Sequence, residues 1–295
     1  MDPSCAFPSS VGYMVLIGTS EKTLERGTGA LSSPLVAAES REDPFWRTSI
    51  ARVRPGEITV RGHDLVELIG RRPFGDVVYL LLAGELPEGN EGRMMDALLV
   101  SAAEHSLLAP SVDAARFAAS AGIPLNAAVA AGTLALGEHH GGAVEAAARL
   151  LLDAADTGLS DREAALAVAR RQKDEGLRLP GYGHTIHDPD PRAGRLFEVA
   201  AELGFRGRWC SLAEALEEAT GEVFGRRLRM NVDGAMGALL LELALDWRLG
   251  KAFYVIGRTP GFVAHVFEEQ TRERPYRDIG RDKVVYEGPE PPVTR

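Results

Sequence analysis

From Gly62 onward, apolar residues recur at spacings of three and four along nearly the whole chain, with Ala and Leu dominant and few aromatics. That spacing lines up one stripe of an α-helix, the stripe that packs against a core. Gly and Pro interrupt the pattern at Gly84, Pro87, Pro110, Gly122, Pro124, Gly158, Pro180 and Gly250, where a helix stops or cannot continue. The stretches between predict helices over 64–70, 74–84, 91–108, 112–121, 125–137, 142–157, 160–176, 190–204, 211–222, 233–248 and 251–270. Upstream the pattern changes: Thr48, Ile50 and Val53 precede a Pro55-Gly56 turn, and Ile58 and Val60 follow it, which predicts a short N-terminal β-hairpin. Residues 1–44 mix Ser, Gly, Thr and Pro without sustained period and are expected to form a loose extension that carries no chemistry. The fold class is mainly α, with no internal repeat of fixed period.

Composition narrows the setting. A chain of 295 residues is long enough to bury a sizeable core as one large domain or two modest ones. No apolar stretch approaches the roughly 20 residues that span a bilayer, and Met14–Gly18 is shorter than a signal-peptide core of about 7 residues or more, so a soluble, cytoplasmic protein without membrane contact is expected. Cys5 and Cys210, the only cysteines, are expected to be free thiols rather than part of a disulfide framework or a Cys-rich zinc site. A net charge of -9 argues against a surface for nucleic acid but not against a small polyanion. Arginines crowd two regions, Arg206, Arg208, Arg226, Arg227 and Arg229 in one, and Arg272, Arg274 and Arg277 in the other; the plain alternative is a solvated charged face.

Three loops carry candidate chemistry. In Gly137-Glu138-His139-His140-Gly141-Gly142 a predicted helix ends in paired histidines and glycines; glycines permit close approach of a ligand, while a helix C-cap with surface histidines is the plainer reading. In Leu179-Pro180-Gly181-Tyr182-Gly183-His184 the Pro and Gly residues exclude a regular helix and leave main-chain amides and a histidine on a constrained loop, suited to a flat base or a phosphate, or serving as a connector. Downstream, Asp190 before Pro191 suits a helix N-cap. In Met230-Asn231-Val232-Asp233-Gly234, Asp233 is either an N-cap or a carboxylate raised by low local polarity into a proton carrier.

Together these segments resemble the citrate synthase superfamily. His140 looks like the histidine of its HGG motif, His184 matches PGYGH, and Asp233 matches NVD, in the same order and similar spacing. The likeness covers roughly residues 46–288. Thr59–Leu65 and Tyr79–Pro87 resemble its YRGY-type and YLLLxGELP segments, Glu104-His105 its Asp-His pair, Arg192 the arginine of its DPR element, and Gly257–Phe262 the segment bearing a second carboxylate-binding arginine, here Arg258. Arg274 and Arg277 fall near its C-terminal arginine, which reaches the neighbouring subunit's site. Glu104 in place of Asp, and Leu108 and Val144 in place of Asn, depart from the pattern. The short length and the compact stretch from His105 to Asp233 are more similar to citryl-CoA lyase and to the C-terminal module of ATP-citrate lyase.

The resemblance implies carbon-carbon bond chemistry between an acyl-CoA and a 2-oxo acid, with Asp233 as the base at the acyl α-carbon, His140 as hydrogen-bond donor to the thioester oxygen, and His184 as the acid and base at the oxo-acid carbonyl. His105, Arg192, Arg258, Arg274 and Arg277 are the implied carboxylate ligands. Coenzyme A, entering as acyl-CoA, would lie along the main chain of Leu179, Pro180, Gly181, Tyr182 and Gly183, and no metal is implied. The implied architecture is a large helical domain, 46–140 with 236–295, a smaller helical lid, 141–235, and an N-terminal extension, 1–45, assembled as a homodimer or higher homo-oligomer. Three activities fit: a citryl-CoA lyase, a citrate or 2-methylcitrate synthase, and a non-catalytic CoA-binding partner subunit.

Overall fold

The computed structural model describes residues 45–291; the expectations for residues 1–44, the Cys5 thiol among them, lie outside the described residues. Strands β1 (Ala51–Arg54) and β2 (Glu57–Val60) pair antiparallel with Ala51 opposite Val60 and Arg54 opposite Glu57, across a turn in which Gly56 has φ +77. The expected hairpin gains a third strand, β3 (His63–Asp64), antiparallel to β2, because Arg61 and Gly62 both take positive φ and reverse the chain. The Asp64 carboxylate then accepts the Val66 N–H and opens α1 (Leu65–Leu68).

Ten further helices follow among the described residues: α2 (Phe74–Ala83), α3 (Glu91–Ala102), α4 (Pro110–Ser120), α5 (Leu125–Leu134), α6 (Ala143–Ala155), α7 (Asp161–Asp174), α8 (Pro191–Leu203), α9 (Arg208–Phe224), α10 (Val232–Glu242) and α11 (Gly250–Arg272). Their ends follow from local chemistry. Gly84 and Gly204 close α2 and α8 in the left-handed conformation, and Ser160 and Glu163 form a reciprocal capping box at α7.

Two predicted helices stop well short of their expected ends. The segment 91–108 ends at Ala102 because the Glu104 carboxylate accepts the N–H groups of His105 (2.9 Å) and Ser106 (2.5 Å), and Ser106 takes φ +58. A 3-10 turn at Ser106–Leu108 replaces the last helical turn. Likewise 233–248 ends at Glu242, with Ala244 at φ +53 and a 3-10 turn at Trp247–Leu249 leading into α11. Conversely α9 exceeds 211–222 at both ends, its first turn supported by the Glu242 carboxylate, which accepts the Cys210 N–H at 3.0 Å. Cys210 is a buried free thiol, raised to about 12 by desolvation and then by the nearby Glu242 charge.

Helix α10 is buried almost all round, as expected of a central core helix, and packs on α6, α8 and α9. A Cβ at Gly237 would stand 2.9 Å from the Ala148 amide nitrogen, so this glycine sets how closely α10 approaches α6. Helix α11 crosses α3, α4, α5 and α6, with Phe262 and Val266 sealing a second cluster against Val112, Ala115 and Ala119 of α4. Thus the start of α10 and the first half of α11 border the same space. Among the described residues, no helix is long and apolar enough to cross a membrane.

Candidate active site

The 179–184 loop and the strand-like approach to α10 are laced together by main-chain hydrogen bonds. Gly181 (φ +83) and Gly183 (φ +79) turn the loop so that the Gly183 N–H donates to the Arg229 carbonyl (2.7 Å) and the Asn231 N–H donates to the Gly181 carbonyl (2.9 Å). The Asn231 side-chain amide adds a bond to the Gly183 carbonyl at 2.6 Å. The Tyr182 hydroxyl anchors the loop from behind by donating to the Ala213 carbonyl at 2.8 Å. Asn231, rather than Asp233, caps α10: its side-chain oxygen accepts the N–H groups of Asp233 and Gly234. Capping therefore makes no demand on the Asp233 carboxylate.

These segments, with the 137–142 turn, enclose a cavity of about 670 Å³. In it the Asp233 carboxylate accepts the Tyr254 hydroxyl at 2.5 Å through Oδ1. Desolvation raises the Asp233 carboxyl above its ordinary range, while Tyr254, Arg192 and Arg258 pull it back. His140 is held through Nε2 by the Ser111 hydroxyl at 2.8 Å, leaving Nδ1 for a ligand. Desolvation and then the Arg258 charge push His140 below its ordinary value, so the ring is neutral near pH 7. The Nδ1 of His184 accepts main-chain N–H bonds from Ile186 (3.0 Å) and His187 (3.1 Å), which places the proton of the neutral ring on Nε2. Desolvation also lowers His184, with Asp190 opposing it.

Asp190 fulfils the expected cap and does more. It is 3% exposed, accepts the Arg192 N–H, grips the Arg192 guanidinium with two bonds of 3.0 and 2.9 Å, and accepts the Val232 N–H at 3.0 Å. The start of α8 is thereby fixed to the start of α10. Arg258, 2% exposed, is set by a bond from Nε to the Ala102 carbonyl (3.0 Å) and by the Tyr254 ring, 5.0 Å from its guanidinium carbon.

Of the residues singled out in the sequence, His105, His140, Leu179, Tyr182, Gly183, His184, Arg192, Asp233 and Arg258 all line the cavity. Pro180 and Gly181 are not among its lining; Gly181 supports the loop from behind, its Cα facing Gly234. Arg277 lies outside this cavity on Glu269 (2.9 Å through Nε), and Arg274 is exposed beyond the end of α11. The crowd of arginines resolves as well. Arg206, Arg227 and Arg229 are paired with Glu214 or Glu217, Arg208 stacks on Trp209, and Arg226 alone of the five borders the cavity, joined there by Arg178.

Four contributors were not singled out in the sequence: Ser111, Tyr254, His187 and Arg178. Ring nitrogens of His105, His184 and His187 lie within 4.8 Å of one another. Such a trio can hold a divalent ion. Arg192 and Arg258 bear on the same place, however; after desolvation they are the largest influences lowering His105. Two guanidiniums bearing on one place favour an anion with carboxylates.

Comparison with known proteins identifies the family and the fold. The family model described as citrate synthase, C-terminal domain, matches residues 87–281. Among solved structures, citryl-CoA lyase from Hydrogenobacter thermophilus is 41% identical with a TM-score of 0.79, covering 85% of this chain and 98% of that one. The ATP citrate lyase of Methanosaeta concilii, a D541A mutant in complex with (3S)-citryl-CoA, is 25% identical with a TM-score of 0.72, over 85% of this chain and 43% of that one. A citrate synthase of Haloferax volcanii is 31% identical over 227 residues, which are 75% of this chain and 58% of the relative. The chain spans about half the length of the curated relatives it matches.

Proposed function

The chain belongs to the citrate synthase family, and on that premise we propose that it cleaves citryl-CoA to acetyl-CoA and oxaloacetate, with coenzyme A carried as the thioester of substrate and product. The observation that carries the reading is the convergence of Asp233, free of any capping duty, with neutral His140 and His184 in one cavity that also holds Arg192 and Arg258. The preference for cleavage rests on the likeness to citryl-CoA lyase over 98% of that chain's length.

The geometry supports the following steps. Arg192, Arg258 and His105 bind the carboxylates of the oxo-acid half. The tertiary hydroxyl lies at Nε2 of His184, and loss of its proton releases the electron pair that forms the new carbonyl while the carbon-carbon bond breaks. Because Nδ1 accepts two main-chain N–H groups, Nε2 takes this proton as the imidazolate, formed when its own proton passes to solvent and stabilised by those two donors and by Arg192, 3.5 Å away, and the ring returns to its neutral Nε2–H form. The electrons of the broken bond enter the thioester, whose enolate oxygen takes a hydrogen bond from His140; the Ser111 hydroxyl at Nε2 orients Nδ1–H for this. Asp233 then gives its proton to the enolate carbon, completing the acetyl methyl group. Run backward, the same groups condense acetyl-CoA with oxaloacetate.

The CoA phosphates would approach Arg178 and Arg226 at the cavity's edge, with the pantetheine along Leu179 to Gly183. Residues 141–235 would act as a lid over a base formed by 46–140 and 236–295, excluding water from the enolate, and Arg274 and Arg277 would serve a partner subunit in a homodimer. The test supplies citryl-CoA and follows oxaloacetate, and separately supplies acetyl- or propionyl-CoA with oxaloacetate and follows free thiol. Oxaloacetate release without thiol release supports the lyase. Thiol release in the second mixture supports a citrate or 2-methylcitrate synthase, and CoA binding without turnover in either supports a non-catalytic partner.

A further inference from the structure

The Tyr254 phenol lies where three parts of the site meet. It is 5% exposed, its hydroxyl donates to Asp233 Oδ1 at 2.5 Å, and the Arg258 guanidinium lies over its ring. Its other neighbour is the turn that carries His140: a Cβ at Gly141 would stand 3.5 Å from the Tyr254 ring, so the ring packs against that turn. A phenylalanine would fill this volume and keep the stacking. The hydroxyl adds one thing, a bond to one particular carboxylate oxygen.

We propose that Tyr254 is a positioning residue for the carbon-acid step, holding Oδ1 of Asp233 so that Oδ2 alone exchanges the proton with the acyl α-carbon. A carboxylate rotating freely about its Cβ–Cγ bond offers either oxygen, and proton transfer to carbon demands a short, aligned approach. The bond also selects between protonation states. A hydroxyl that donates to Oδ1 stabilises the ionised form and opposes the desolvation that raises Asp233. In cleavage this makes Asp233 a stronger proton donor to the enolate carbon. Besides Tyr254, the groups that bear on Asp233 are Arg192 and Asp190 from the start of α8, Arg258 from α11, and His184 from the loop. Phenylalanine keeps the ring beneath Arg258 and leaves the other three side chains in place, so the substitution removes the hydroxyl alone.

The inference rests on the proposed chemistry, and the experiment separates the two. Citryl-CoA cleavage is followed against pH for the wild type, for Tyr254→Phe, and for the protein with 3-fluorotyrosine at position 254, whose more acidic hydroxyl is a stronger donor. Cleavage requires protonated Asp233, so the rate falls as pH rises through its titration. Removing the hydroxyl moves that alkaline limb up by about 1–2 units, and fluorination moves it down. In Tyr254→Phe, kcat falls about tenfold or more while KM stays within about threefold of wild type. Limbs that coincide with wild type in both variants overturn the role of Tyr254 and leave the function standing. A wild-type protein that does not cleave citryl-CoA overturns the function, and this inference with it. If Tyr254→Phe does not fold, the fluorotyrosine protein decides alone: a lowered limb supports the role and an unmoved one overturns it.

Discussion

Gly181 and Gly183 sit two residues apart in the same loop, both at positive φ, yet replacing each with alanine should have unequal consequences. At Gly183 (φ +79) an added Cβ meets nothing within 4 Å, so the cost is the left-handed backbone alone, about 1–2 kcal/mol. At Gly181 (φ +83) the same methyl would stand 2.6 Å from the Gly234 Cα and 2.9 Å from its nitrogen, with Ala147 Cβ at 3.1 Å. Main chain cannot swing aside as a side chain does, and overpacking of this kind adds about 1–3 kcal/mol, for a total of about 2–5 kcal/mol. At roughly 2–4 °C per kcal/mol for a domain near this size, Gly181→Ala should lower the melting temperature by on the order of 10 °C, and Gly183→Ala by about half that or less. Relief of the clash pushes the His184 loop away from the start of α10, where Asp233 lies. A displacement near 1 Å costs about a hundredfold in rate, so kcat of Gly181→Ala should collapse even at temperatures where the protein is folded. Scanning calorimetry of the two variants beside wild type, with citryl-CoA turnover at 25 °C, reads both effects. Equal melting temperatures for the two variants, or a folded Gly181→Ala with wild-type kcat, would refute the close-contact reasoning.

Other expectations follow from single contacts. Ser111→Ala removes the partner of His140 Nε2 and should lower kcat about tenfold with little change in KM; steady-state kinetics with unchanged kcat would remove Ser111 from the account. Arg258→Lys loses the planar fork and the bond to the Ala102 carbonyl, so KM for oxaloacetate in the condensation direction should rise about 10- to 100-fold, and an unchanged KM would count against Arg258 as a carboxylate ligand. Glu269, 2% exposed, accepts from Arg116 at 2.6 Å and from Arg277. Desolvation would raise its carboxyl, but the two arginines outweigh it and hold the value low. The stability this supplies is present above the ordinary glutamate range and is lost as pH falls through the lowered value. Glu269→Gln should therefore lose about 3 kcal/mol at neutral pH and converge with wild type in urea titrations at acid pH; parallel curves at every pH would contradict it.

The helical framework was legible because its interruptions are chemical: Gly84 and Gly204 stop helices by adopting a conformation other residues avoid, and Asp190 before Pro191 starts one. The stop after Ala102 was not. The residues from Ala103 to Leu108 favour a helix, and what ends it is Glu104 taking two main-chain N–H groups for its own carboxylate. The sequence cannot show which way that side chain turns. The break at Ala244 similarly has no glycine to announce it. In the site, His140, His184 and Asp233 were legible as three motifs in register. Asp233 could not be distinguished from an N-cap until Asn231 was seen to fill that place. Ser111 and Tyr254 lie 29 residues from His140 and 21 from Asp233 along the chain, on helices whose pattern explains them equally well as packing. Only the fold gives their polar atoms partners.

The central claim is that Asp233 moves a proton at the acyl α-carbon, and isotope exchange reads that step without depending on the direction of net reaction. Acetyl-CoA is incubated in D₂O with the protein and oxaloacetate, and deuterium in its methyl group is followed by mass spectrometry for wild type and Asp233→Asn. Exchange in the wild type that disappears in Asp233→Asn, with CoA still bound by calorimetry, is the predicted result; exchange at the wild-type rate in Asp233→Asn would contradict the assignment of that carboxylate as the proton carrier.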